Sequence, residues 1–93
     1  MKKIEDFILS ILQKVEGMQD GLIAYAYKNR SWWEISVSDF DFYMRNQRFK
    51  KLSDAWHKAA KAQGETIVFV CGWIPTEEKL EGLLKSDNLI LNV

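Results

Sequence analysis

Two side chains in this sequence could act together as a nucleophile and a base. Cys71 ends an apolar segment, and His57 is the only histidine. A nucleophilic cysteine needs a lowered thiol pKa and an adjacent base. A free cysteine is commonly a small buried apolar residue, and His57 lies beside Lys58 on the polar side of a predicted helix. We therefore interpret Cys71 as structural and keep a small thiol enzyme that uses Cys71 as a distant alternative.

The sequence contains few of the residue types that bind metal ions. Zinc usually takes three or four cysteine, histidine or carboxylate ligands, and this chain has one cysteine and one histidine. Asp39 and Asp41 could together bind a hard cation, although helix capping also explains them. The sequence has no glycine-rich phosphate loop. We predict neither a metal site nor a cofactor.

A basic segment is the strongest indication of nucleic-acid binding. Its lysines and arginines are Arg45, Arg48, Lys50, Lys51, Lys58 and Lys61. Phosphate contacts need such cations, and single-strand binders add stacked aromatic residues. Tyr43, Phe49 and Trp56 are aromatic residues of the same segment, but Phe49 and Trp56 also fit a buried stripe. The sequence pI of about 6.6 is far below the usual basic footprint.

Two consecutive segments combine aromatic with β-branched residues. Residues 21–28 and 32–38 predict the two strands of a hairpin. Because side chains alternate across a strand, one face carries an aromatic patch with a carboxylate, formed by Tyr25, Tyr27, Trp32 and Glu34. Exposed aromatic clusters mark interaction sites, and Tyr and Trp contribute strongly to interface energetics. This face is our candidate interface, unless a helix covers it.

The length of the turn determines the pairing within the hairpin. A two-residue turn at 29–30 would pair Tyr27 with Trp32 and Tyr25 with Glu34. The opposite face then contains only apolar side chains and predicts the core, with Leu22, Ala24, Ala26, Trp33, Ile35 and Val37.

Apolar spacing predicts the elements that position these groups. Residues 3–16 predict an amphipathic helix. Residues 39–63 predict either one long helix or a short turn followed by a helix that begins near Arg48, with 46–47 as the weak point. Residues 66–71 are apolar without alternation, which is typical of a strand covered on both faces.

The last third of the chain predicts a strand–helix–strand unit. A helix capped by Thr76 follows the strand 66–71, and residues 89–93 form a final strand. Strands joined in this way are parallel, with a right-handed crossover. The predicted fold class is mixed α/β in the order α-β-β-α-β-α-β. It comprises a four-stranded mixed sheet with an N-terminal antiparallel hairpin, a C-terminal parallel β-α-β unit and three packed helices.

Length and composition are those of one globular domain. The chain has 93 residues, 47% of them hydrophobic and 28% charged, so we predict a single domain over residues 1–93. A formal net charge of zero gives no overall attraction to nucleic acid or to a membrane. The single cysteine favours a reducing compartment, and no stretch approaches the length of a membrane span. We expect a cytoplasmic protein that binds no membrane.

These observations favour binding over catalysis. The leading hypothesis is a non-enzymatic protein-binding or regulatory module that can act as a homodimer. The alternative is a nucleic-acid-binding protein that uses the basic helix 45–61. The distant alternative is the thiol enzyme.

Overall fold

The computed structural model describes residues 3–29, 31–72 and 89–91. Its elements are α1 (Lys3–Glu16), β1 (Ala24–Asn29), β2 (Trp32–Val37), α2 (Phe42–Arg45), α3 (Gln47–Ala62), β3 (Ile67–Cys71) and β4 (Leu89–Leu91). The helix predicted to begin at Thr76 lies outside the described residues. None of the described helices is both long enough and apolar enough to cross a lipid bilayer.

Helix α1 forms because its apolar residues recur at helical spacing, and the predicted helix 3–16 is confirmed. The acidic side chains Glu5 and Asp6 lie in its first turn, where they interact favourably with the positive end of the helix dipole. Its apolar stripe is fully buried, with Ile8, Ile11, Leu12 and Val15 at 0% exposure.

The strands form a mixed sheet in the order β3-β2-β1-β4. Strands β1 and β2 form the predicted antiparallel hairpin, whereas β2 and β3 are parallel. A parallel pair needs a crossover connection, and here α2 and α3 supply it. Strand β4 adds a three-residue antiparallel ladder to the other side of β1.

The predicted fold class is wrong in its topology. We expected a four-stranded sheet completed by a C-terminal parallel β-α-β unit that joins residues 66–71 to residues 89–93. Instead, β1, β2 and β3 form a regular three-stranded sheet, and the short β4 pairs with β1 at the opposite edge from β3. The parallel β-α-β unit therefore joins β2 to β3. Strand β3 was also expected to be covered on both faces, yet Val68 is 38% exposed.

The hairpin pairing differs from the predicted pairing by two residues. Tyr27 lies opposite Glu34 and Tyr25 lies opposite Ser36, so the expected pairs of Tyr27 with Trp32 and of Tyr25 with Glu34 are wrong. The predicted faces are nevertheless correct. The side-chain period of a strand is two, so a shift of two residues leaves every side chain on its face.

The apolar face of the hairpin is the core of the sheet, as predicted. Its side chains are at most 6% exposed, namely Leu22, Ala24, Ala26, Trp33, Ile35 and Val37. They form one buried cluster with the stripe of α1, with Ile67 of β3 and with Phe42, Phe49 and Ala60 of the α2–α3 crossover. The described helices therefore pack against this face of the sheet.

Residues 39–63 form two helices because the backbone of Asn46 is extended, with φ −107° and ψ 100°. The Asn46 N–H donates to the carbonyl of Phe42 at 2.9 Å and ends α2. The side-chain oxygen of Asn46 accepts from the N–H of Phe49 at 2.9 Å and caps α3, a position that favours asparagine. The weak point predicted at 46–47 is thus a helix boundary.

Candidate binding cleft beside strand β3

A cleft lies between helix α3 and the outer edge of strand β3, which is the last strand on its side of the described sheet. Its volume is about 400 Å³, a size typical of ligand-binding cavities. It is lined by Tyr43, Ser53, Asp54, His57, Ile67, Val68, Phe69 and Cys71.

Aromatic contacts hold α3 along β3 and so form the walls of the cleft. The ring of Phe69, on β3, lies 5.2 Å from the ring of Phe49 and 6.0 Å from that of Trp56. The imidazole of His57 stands edge-on to the same ring, at 5.4 Å. Phe49 is fully buried, so these contacts join the cleft to the core and fix the distance between helix and strand.

The backbone of β3 presents hydrogen-bonding groups on the side away from β2. The carbonyl of Thr66 accepts from the N–H of Trp33 at 2.8 Å, and the N–H of Gly72 donates to the carbonyl of Val37 at 2.8 Å. Even-numbered residues of this strand therefore point their backbone groups towards β2. Because alternate residues of a strand point these groups to opposite sides, the N–H and C=O groups of Ile67, Phe69 and Cys71 point outward. In the described part of the chain, no backbone group bonds to them.

An exposed apolar patch adjoins the cleft. It consists of Phe40, which is 79% exposed, Met44, which is 73% exposed, and Tyr43, which is 36% exposed and also lines the cleft. All three come from the short segment that connects β2 to α3. Single exposed apolar residues are common, but a group of large ones indicates an interaction site.

Three contacts of Asp39 position the segment that carries this apolar patch. The carboxylate of Asp39 accepts from the N–H of Asp41 at 3.0 Å and from the side-chain amide of Gln19 at 3.2 Å. It also pairs with Arg45, and this hydrogen bond lowers the pKa of Asp39. Asp39 thus stabilises the turn before α2.

Among the described residues, no group of three His, Cys, Asp or Glu side chains is close enough to hold a metal ion.

The basic side chains predicted to bind nucleic acid are all exposed, and they are Arg45, Arg48, Lys50, Lys51, Lys58 and Lys61. The ammonium group of Lys50 lies 5.7 Å from the centre of the Tyr43 ring, at the edge of the apolar patch. Phe49 is buried and Trp56 packs against the core. Of Tyr43, Phe49 and Trp56, the three aromatic residues considered for stacking on bases, Tyr43 is therefore the exposed one.

The thiol and the imidazole considered for catalysis line the same cleft. Burial raises the pKa of the Cys71 thiol, although a hydrogen bond from the Tyr43 backbone opposes the shift. The Nδ1 of His57 donates to the carbonyl of Ser53 at 2.7 Å, which leaves Nε2 as the acceptor in the neutral ring. A nucleophilic cysteine requires the opposite shift, towards the thiolate.

The four residues of the candidate hairpin interface lie on one face, as their alternation predicted. Tyr25 is only 6% exposed, whereas Tyr27, Trp32 and Glu34 are partly buried. The rings of Tyr25 and Tyr27 are nearly parallel, with centroids 6.3 Å apart. The Tyr27 hydroxyl donates to the Glu34 carboxylate. Burial and this hydrogen bond raise the pKa of Tyr27 to about 12.

The sequence pattern did not reveal the apolar patch, because its residues share helical spacing with the buried stripe of α3. Phe40, Tyr43 and Met44 have helical spacing, yet Phe42 is the residue of this segment that is buried, at 1% exposure. The helix break predicted at 46–47 was the sequence feature that could have separated these three residues from the buried stripe. A stripe cannot continue across a residue that changes the direction of the helix.

Fold and site together define a mixed α/β protein with a cleft beside an edge strand. No protein-family model matches the chain, and no curated protein or solved structure is significantly similar to it.

Proposed function

We propose that this protein is a non-enzymatic protein-binding module. Its docking surface consists of the cleft beside β3 and the adjoining apolar patch of Phe40, Tyr43 and Met44. The exposure of these three side chains next to an open cleft is the observation that carries the proposal. A partner that covers them removes apolar surface from water, at about 25 cal/mol per Å² of area buried.

The chemistry of the cleft supports binding rather than catalysis. The raised pKa of Cys71 keeps the thiol protonated at neutral pH. His57 donates its Nδ1 proton to a backbone carbonyl of its own helix, which orients the ring within the wall of the cleft. A free cysteine, with no disulfide in the described chain, also supports our placement of the protein in the cytoplasm, which is a reducing compartment.

A homodimer that uses the hairpin face is a second form of the same function. Tyr25 is too buried to contribute, so the contact would consist of Tyr27, Trp32 and Glu34. If this face associates, wild-type protein should sediment as a dimer and Trp32→Ala as a monomer.

Nucleic-acid binding is a second candidate function, because six basic side chains are exposed on or next to one helix. Binding of single-stranded or duplex DNA should then weaken steeply with salt, and neutralising Lys50 and Lys58 together should reduce the salt slope. No binding at low salt would exclude this function.

Selection of peptides tests the docking surface. Random linear peptides displayed on phage are selected on the wild-type protein, and their affinities are then measured for two variants. Met44→Asp places a charge in the apolar patch, whereas Ala62→Asp places the same charge on an exposed residue at the carboxyl end of α3. We expect Met44→Asp to weaken binding by about tenfold or more, as for a central interface residue, and Ala62→Asp to leave it unchanged. Equal affinity for both variants, or no enriched peptide, would contradict the proposal.

A further inference from the structure

We infer that the partner is an extended acidic peptide that adds to the sheet as a strand beside β3. This inference rests on the proposed function and specifies what the docking surface recognises. The juxtaposition of an unpaired strand edge, a cleft and a basic rim is the observation behind it.

The backbone of β3 fits an extended chain. Ile67, Phe69 and Cys71 each direct one N–H and one C=O away from β2, and in the described chain none of these groups bonds to a backbone partner. A peptide strand at the usual spacing of about 4.8 Å would meet this row of alternating donors and acceptors. Edge strands are commonly protected by charges, proline or bulges. Strand β3 has the sequence Ile-Val-Phe-Val-Cys, without a charged residue or a proline.

The cleft would hold the side chains on one face of such a peptide. Alternate side chains of an added strand point to opposite sides of the sheet. Those on the helix side would enter the cleft and contact His57 and Tyr43. Those on the other side would contact Val68, which is 38% exposed. Apolar residues are therefore expected at every second position.

The charge of the segment beside the cleft favours an acidic partner. From Asp39 to Lys58 the chain has five basic and three acidic residues. Arg45 is paired with Asp39. Within residues 31–72, no carboxylate lies within ion-pair distance of Arg48, Lys50 or Lys51.

Lys50 marks one end of the cleft. It lies near the amino-terminal end of α3, and its ammonium group is 5.7 Å from the ring of the patch residue Tyr43, whose backbone reaches Cys71 at the carboxyl end of β3. Asp54, which lines the cleft, comes later in the helix. The acidic residues of the peptide should consequently lie near Cys71. A second copy of this chain fits less well, because its own β3 has no acidic residue.

A defined peptide tests the inference. The probe is a peptide, blocked at both ends and long enough to span β3, in which valine alternates with serine and two glutamates follow at one end, and the control peptide has lysine in place of glutamate. Backbone amide exchange is measured by NMR with and without each peptide. We expect the glutamate peptide to slow exchange at Ile67, Phe69 and Cys71 by about tenfold or more, because new hydrogen bonds protect these amides. Val68 and Val70 are internal controls, since their amides already point towards β2.

Charge variants test the recognition of acidic residues. Lys50→Gln should weaken binding of the glutamate peptide by about twofold to fivefold, as expected for one exposed ion pair. Lys58→Gln removes the same charge further along the helix and should have a smaller effect. Raised salt should weaken binding to wild type in the same direction.

The outcomes separate this inference from the proposed function. Strand addition is wrong if the glutamate peptide does not bind, or if it leaves the exchange of the outward amides unchanged. The proposed docking surface would still be supported in that case if Met44→Asp weakens the binding of phage-selected peptides. Equal binding of the lysine peptide would overturn the preference for acidic partners. If the free protein sediments as a dimer with Ile67, Phe69 and Cys71 already protected, a second copy occupies the edge and the inference is wrong.

Discussion

The replacement of Gly72 by alanine should disturb both the fold and the docking surface. Gly72 has a φ of +85°, and a Cβ atom at this position would lie 2.7 Å from the Cα and 2.7 Å from the ring of Phe40. The left-handed conformation costs a non-glycine residue about 1–2 kcal/mol. Overpacking against a neighbouring backbone adds about 1–3 kcal/mol. Gly72→Ala should therefore lower the free energy of unfolding by roughly 2–5 kcal/mol, the sum of these two costs.

A matched control separates the two costs. Gly64 also has a positive φ, +76°, but a Cβ there would meet nothing within 4 Å. Gly64→Ala should lose about 1–2 kcal/mol, from the backbone conformation alone. Urea unfolding of both variants measures the difference, provided that the slope of the unfolding free energy with urea is unchanged.

Removal of the Phe40 ring should restore little stability to Gly72→Ala. The Cα and Cβ of Phe40 would remain within 2.8 Å of the new methyl group, so the connecting segment itself must move. The double variant Phe40→Ala, Gly72→Ala should thus stay well below Phe40→Ala in stability. If Gly72→Ala is no less stable than Gly64→Ala, or if ring removal restores it fully, the close approach of the two segments is wrong.

Three further predictions concern the core, the hairpin and the thiol. Phe49→Ala should cost about 3–5 kcal/mol as a large truncation in the core, whereas Met44→Ala, on the exposed apolar patch, should stay within about 0.5 kcal/mol; thermal unfolding compares them. Tyr27 has a pKa of about 12 in the folded state against 10.0 normally, so its stabilising contribution is complete below pH 10 and is lost between pH 10 and 12. Glu34→Gln should lower the pKa of Tyr27, as measured by titration of the tyrosinate absorbance. An unchanged pKa in this variant would exclude the Tyr27–Glu34 hydrogen bond as a cause of the raised value. Because burial raises its pKa, Cys71 should be alkylated slowly at neutral pH in the folded protein and quickly after unfolding, and rapid alkylation of the folded protein would favour the thiol enzyme.

Local patterns in the sequence were sufficient where one segment determines its own structure. The apolar stripe of α1 specifies a helix that buries Ile8 and Ile11. The hairpin strands specify their faces, because alternation depends only on position along the strand. Asn46 was identified as a weak point for the same reason, since capping involves only the few residues around it.

Local sequence patterns could not predict the length of the hairpin turn or the pairing that it sets. Two pairings that differ by two residues bury the same side chains, so the hydrophobic pattern cannot separate them. The structure pairs Tyr27 with Glu34, and the Tyr27 hydroxyl donates to the Glu34 carboxylate.

The sequence by itself determined α1, the two hairpin strands, the strand β3 and the buried face of the sheet, whereas the division of residues 39–63 into two helices and the order of the strands were decided by the tertiary structure. Strand β3 could pair with β2 or with β4, and both arrangements satisfy the right-handed crossover rule. Pairing with β2 leaves β3 at an edge of the described sheet, beside α3 and the segment of Phe40 and Met44. The cleft exists only in this arrangement, because residues far apart in the chain meet there and no short stretch of sequence contains them together.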